Sequence, residues 1–144
     1  IARTSAAFSL RLHLIDPLGF SISDKHLKRA GLDYWDYIDI LRHHDFQSFL
    51  DFQQSKSRNI GFTKSARESL DGFHFQSGDF LLFGREDKGL SKEFKNKCDY
   101  LLSIPMPGGV SQLEGIGVRS LNLSSSVAIV SYVAMTQVRA PTSI

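Results

Sequence analysis

Phe80-Leu81-Leu82-Phe83-Gly84-Arg85-Glu86-Asp87-Lys88-Gly89-Leu90 is the stretch on which the fold turns. Its four leading apolar residues predict a strand buried on both faces, and the small and charged residues after Phe83 predict where that strand stops. Two later strings mark similar transitions. Ile104-Pro105-Met106 closes the run Tyr100-Leu101-Leu102-Ser103-Ile104, and Ser120-Leu121-Asn122-Leu123-Ser124 leads into an apolar helix. In a parallel α/β sheet the carboxyl edge of the strands is where ligands bind. Three such edges converging can wrap one small molecule in backbone.

The rest of the chain fits that architecture. Ile1 to Phe8 reads as a helix already under way, with Ala2, Ser5, Ala6 and Ser9 as a small-residue face and no capping side chain for its first amides. Leu10 to Ile15 alternates like a strand and is stopped by Asp16-Pro17-Leu18-Gly19. Ser23 or Asp24 caps a short helix through Leu27 and Ala30, with Gly31 as its stop. Tyr37 to Leu41 is a second, weaker strand, and Asp45 caps a helix over Phe46 to Phe52. Asn59 to Thr63 forms a third short strand, and a polar helix from about Ser91 to Lys97 precedes Tyr100 to Ile104. Strands alternating with helices predict a mainly parallel sheet flanked by helices.

The last helix, from about Leu123 to Val138, is apolar almost all round, with Val127, Ile129, Val130 and Val133 among its residues. A surface helix carries one apolar stripe, so this one is expected to be covered on two sides. Its own core could do that; a dimer interface is the favoured reading, because so small a domain has few places to bury a helix completely.

Composition bounds the function. The chain has 144 residues, 42% hydrophobic and 22% charged, as one globular domain requires. No apolar run approaches the ~20 residues of a membrane span, so no membrane partner is expected. Cys98 is the lone cysteine, which excludes an internal disulfide and a cysteine-built metal site and suits a reducing, cytoplasmic compartment. A net charge of +2 does not by itself argue for nucleic acid. Gly84 to Gly89 lacks the Gly-Lys-Ser/Thr ending of a phosphate loop. His43 and His44 project in different directions and have no third ligand at motif spacing, so no metal is expected.

The three strings, together with Ile1-Ala2-Arg3-Thr4, Arg11-Leu12-His13-Leu14-Ile15, Pro17-Leu18-Gly19-Phe20, Lys28-Arg29-Ala30-Gly31-Leu32-Asp33-Tyr34 and Arg42-His43-His44-Asp45, carry a resemblance across nearly the whole chain. The sequence resembles the SPOUT-class (trefoil-knot) RNA 2′-O-methyltransferases, most closely the tRNA wobble-nucleotide 2′-O-ribose methyltransferases. That resemblance implies a deep carboxyl-terminal knot, a topology connection rules would discourage. It further implies S-adenosyl-L-methionine as cofactor, a homodimer, and the tRNA anticodon stem-loop as substrate, methylated at position 34.

Carried over by position, the cofactor cradle comprises Phe62, Thr63, Gly84, Glu86, Ile104, Ser120 and Leu121. Arg3 is the implied catalytic residue; a guanidinium is a permanent donor, so stabilising a developing alkoxide suits it better than proton abstraction. Substrate contacts fall to Lys28, Arg29, Arg42, His43, Asn122 and Ser124. Asn122 is equally an N-cap for the last helix, and Gly84 is equally a plain turn glycine. The resemblance places a first strand and a Gly-Asn motif before Ile1, so residues 1–144 are expected to be one domain continuing upstream. Pro107 to Arg119 is longer and richer in glycine than the pattern, and the residues after Tyr132 drift from it. The alternatives are ribosomal RNA methylation and an RNA-binding protein without catalysis.

Overall fold

Asn59-Ile60-Gly61-Phe62 is buried at every position and forms an interior strand of a parallel sheet. The structure, a computed structural model, describes residues 1–18, 35–53, 56–109 and 117–139. The chain divides into two compact units, Ile1–Lys56 and Ser57–Ile144.

The second unit holds strands β3 (Asn59–Phe62), β4 (Glu68–Ser69), β5 (Phe80–Leu82) and β6 (Tyr100–Ser103), in spatial order β4-β6-β3-β5 with every pairing parallel. Parallel pairing brings residues of one parity to one face. Ile60, Phe62 and Leu102 therefore enter one core cluster with Leu70, Phe75 and Val130, and Ile60, Leu102 and Val130 are 0% exposed. On the opposite face Gly61 is required by packing, because a Cβ there would lie 2.7 Å from the Cys98 sulfur and 2.9 Å from Leu101. Burial pushes that thiol up to about 11.

Arg58 ties the amino ends of β3 and β5 together. It binds Asp79 through Nε at 2.7 Å and Nη2 at 2.6 Å, and its guanidinium lies 5.5 Å from the Phe73 ring centre and 5.4 Å from that of Tyr100. Ser91 accepts the Phe94 amide as N-cap of the short helix Lys92–Asn96. The chain then reaches the 17-residue helix Leu123–Arg139.

The first unit contains α1 (Ala2–Ala7), β1 (Leu12–Ile15), a 3-10 turn at Trp35–Tyr37, β2 (Ile40–His43) and α2 (Phe46–Phe52). The two strands pair in parallel. Asp45 caps α2 as its position predicts: its Oδ1 accepts from the Ser48 amide and the Ser48 hydroxyl, both at 2.7 Å. These bonds hold the carboxyl below the usual range. The other two helices, Lys92–Asn96 and Leu123–Arg139, are α3 and α4.

Several expectations need correction. The second strand is not Tyr37 to Leu41; it begins at Ile40, because Trp35–Tyr37 is wound into the 3-10 turn. The strand enclosed on both faces is β3, whereas Phe80 and Leu81 of β5 are half-buried because β5 pairs only with β3 among the described residues. β4 has no counterpart in the sequence pattern; two residues, one of them Glu68, carry no periodic signal. Within this chain one side of the last helix is covered. Val127, Val130 and Ser131 are buried and Val133 and Ala134 pack on the core, while Ile129, Tyr132 and Val138 are exposed, Tyr132 at 56%. The expected helix near Leu27 lies outside the described residues.

Candidate active site

The carboxyl ends of the three longest strands of the second unit line up. In register, Gly61 lies beside Leu82 and Phe62 beside Leu102, so Phe83, Phe62–Thr63 and Ser103–Ile104 emerge from one edge. Phe62 and Phe83 stack with ring centres 4.9 Å apart and planes inclined by 13°. Phe83 and Ile104 are partly buried hydrophobics against the core cluster. Beside them the Thr63 amide donates to the Leu102 carbonyl at 3.0 Å, and the Thr63 and Ser65 hydroxyls are 3.1 Å apart. The edge thus presents apolar walls interleaved with polar backbone, the combination a small heteroaromatic ligand needs.

After Phe83 the chain makes a tight turn. Arg85 and Gly89 exchange backbone hydrogen bonds, from the Gly89 amide at 2.7 Å and from the Arg85 amide at 3.3 Å. Arg85 binds both Asp87 oxygens at 2.9 Å. A Cβ on Gly84 would collide with the Gly89 carbonyl and the Leu90 nitrogen. The glycine is therefore needed first by its own turn, before any ligand. Glu86, exposed on this turn, accepts a hydrogen bond from Asn122 Nδ2 at 3.1 Å, which joins the first and third signature strings.

Asn122 is the N-cap of α4. Its Oδ1 accepts from the Ser124 amide at 2.9 Å, from the Ser124 hydroxyl and from the Ser125 amide at 3.4 Å. Its carbonyl accepts from the Ser126 amide at 3.0 Å and the Ser126 hydroxyl at 3.2 Å. Ser120 is exposed and Leu121 half-buried just ahead of it. A parallel bridge between Gly109 and Val118 closes the described ends of the glycine-rich connection.

Residues 1–132 match the SpoU rRNA methylase family. The chain belongs to that family. Among its relatives, the tRNA (cytidine(34)-2′-O)-methyltransferase of Polaromonas sp. (strain JS666) is 39% identical over 138 residues, covering 95% of this chain and 80% of the relative. The protein of the same name from Escherichia coli (strain K12) is 35% identical over 143 residues, covering 98% and 85%. A solved structure described as giving structural insights into the 2-OH methylation of C/U34 on tRNA is 43% identical and superposes with a TM-score of 0.83, covering 94% of this chain and 84% of that one. The α/β architecture of parallel strands flanked by helices is thus the SpoU fold.

The family's other positions fall in the first unit, where the side chains are largely occupied with one another. Arg3 is exposed on α1. Arg42 grips Asp16 with Nε and Nη2 at 3.0 Å each. His43 is 7% exposed, its Nε2 is 2.8 Å from His13 Nδ1, and it lies against the rings of Phe49 and Phe52. Lys28 and Arg29 lie outside the described residues. Among the described residues, no group of three or more His, Cys, Asp or Glu side chains is arranged to hold a metal, and no helix is long and apolar enough to cross a membrane.

Phe83 as a wall of the site and the Glu86–Asn122 pairing go beyond the sequence expectation. Phe83 carries a usable signal, being the last residue of the apolar run that forms β5, as Phe62 is the last residue of β3. Nothing local announces a bond between residues 36 positions apart.

Proposed function

We propose that this protein methylates the ribose 2′-oxygen of the wobble nucleotide, position 34, of tRNA, using S-adenosyl-L-methionine. The observation that carries the proposal is the alignment of Phe62–Thr63, Phe83–Gly84 and Ile104 at one carboxyl edge, in a chain whose relatives bear that activity in their names. The stacked Phe62 and Phe83 and the Ile104 side chain support this reading as apolar walls for adenine, and the backbone of Thr63, Ser120 and Leu121 is assigned to its polar edge. When bound, the cofactor supplies a sulfonium-activated methyl group.

The chain's own task is to orient the ribose hydroxyl in line with that methyl and to accommodate the charge left on oxygen. Arg3 is the donor assigned to the developing alkoxide; a guanidinium keeps its proton throughout, so its contribution is electrostatic. Lys28 and Arg29 are assigned to the RNA backbone of the anticodon stem-loop. Arg42 would have to exchange its Asp16 partner to join them. Residues 1–144 belong to a single methyltransferase domain that works in the cytoplasm. The exposed Ile129 and Tyr132 of α4, one helical turn apart, mark the face on which two copies pair about a two-fold axis.

Titration calorimetry with S-adenosylhomocysteine, followed by single-turnover methylation of an anticodon stem-loop, tests the reading. Saturable binding and a methylated nucleotide at position 34 are expected. Absence of both removes the methyltransferase assignment; cofactor binding with methylation of ribosomal RNA alone moves the substrate. Light scattering at micromolar concentration is expected to report a dimer, and a monomer that still methylates RNA would refute the pairing.

A further inference from the structure

We infer that Asn122 and Glu86 form a positioning latch, joining the turn after β5 to the first turn of α4, and that neither is primarily a ligand contact. The inference rests on the cofactor reading above. The orientation of the Asn122 amide is dictated by its neighbours: the Ser124 and Ser125 amides are donors, so Oδ1 faces them and Nδ2 is turned outward. Nδ2 then donates to Glu86 Oε1 at 3.1 Å. One side chain therefore satisfies the open amino end of a 17-residue helix and grips the turn that follows Phe83.

The turn needs such a grip. Between Phe83 and Leu90 its internal bonds are the Arg85–Gly89 backbone pair and the exposed Arg85–Asp87 ion pair. Exposed ion pairs contribute little to order. The bond from Asn122 to a carboxylate is exposed as well, but its donor is already held in place by the cap of α4, and it acts between two of the three strings proposed to enclose the cofactor. Through it, the turn's place in the cradle depends on α4 being capped. A pair that fixes two walls of a site relative to one another lowers the ordering cost of binding.

The chemistry permits a test that separates the latch from the cap. Asn122→Asp retains a good N-cap and replaces the donor with a second carboxylate facing Glu86. Affinity for S-adenosylhomocysteine is expected to fall about tenfold, the scale of one hydrogen bond to a charged group. Adding Glu86→Gln to that variant reverses the polarity of the pair, since the glutamine amide can donate to the carboxylate introduced on α4, and is expected to recover most of the loss. Amide hydrogen exchange over residues 85–89, measured without cofactor, is expected to quicken in Asn122→Asp and to slow again in the double variant. Loss of affinity in Asn122→Asp with no recovery in the double variant would make Glu86 a ligand contact and overturn the latch. Unchanged exchange in both variants would overturn it as well. If the parent binds no S-adenosylhomocysteine, the cofactor reading fails, and the exchange measurement still decides the latch.

Discussion

Among the described residues, the parallel sheets of the two units use their polar side chains in opposite ways. In the first unit, β1 and β2 are half-buried, and their charged and imidazole groups are spent on one another: Arg11 on Asp39, Arg42 on Asp16 and His13 on His43. In the second unit β3 is wholly buried, and the polar groups gather at the ends of the strands, in Thr63, Glu86 and Asn122. The difference teaches where each unit can do work. A two-stranded sheet needs its polar pairs to hold its register, whereas a four-stranded sheet with a closed core can leave its carboxyl edge to a ligand.

The comparison is broken most severely at Gly84. Gly84→Ala is expected to disrupt the turn through collision with the Gly89 and Leu90 backbone, lowering the melting temperature by about 10 °C and abolishing S-adenosylhomocysteine binding. A variant that melts like the parent and still loses the ligand would show the glycine serving the cofactor directly. Arg3→Ala comes next. It should slow methyl transfer about a hundredfold, ~3 kcal/mol, with cofactor affinity unchanged. Transfer at the parent rate would show that the first unit contributes no catalytic group at that position.

The histidine pair provides a smaller, pH-dependent test. Burial, then the neighbouring His43 and Arg11, lower His13 from 6.5 to about 4, against an upward pull from Asp39. The folded ring therefore resists a proton that the unfolded chain accepts. Stability is complete above about pH 6.5 and declines as pH falls toward about 4, by roughly 1–2 kcal/mol once screening of the half-buried ring is allowed for. His13→Gln keeps a hydrogen-bonding partner for His43 and should flatten that slope in denaturant titrations between pH 7 and 4. A slope identical to the parent's would locate the acid sensitivity elsewhere. The smallest effect is expected at the cap of α2. Asp45→Ala should lower the melting temperature by about 3 °C, and Asp45→Asn should restore most of it; equal losses from both would assign the effect to charge.

Local chemistry made much of the fold legible. Asp45 caps a helix because it stands immediately before a helical apolar pattern, and Ser91 caps the short polar helix that follows it. The runs at Asn59, Phe80 and Tyr100 became strands because continuous apolar residues of that length have little other use in a small α/β domain. Legibility failed where a neighbour distant in sequence decides. Tyr37 has strand propensity yet stays outside β2, and Glu68 and Ser69 become a strand only because β6 lies beside them.

For the site, the sequence by itself determined the elements that carry it and, through its signature strings, the family. Tertiary structure alone decided what those residues do for one another. It buried His43 against His13, engaged Arg42 with Asp16, placed the Gly89 backbone against Gly84 and joined Glu86 to Asn122. A residue's type states which hydrogen bonds it can make, and only the packed chain determines which partner arrives first.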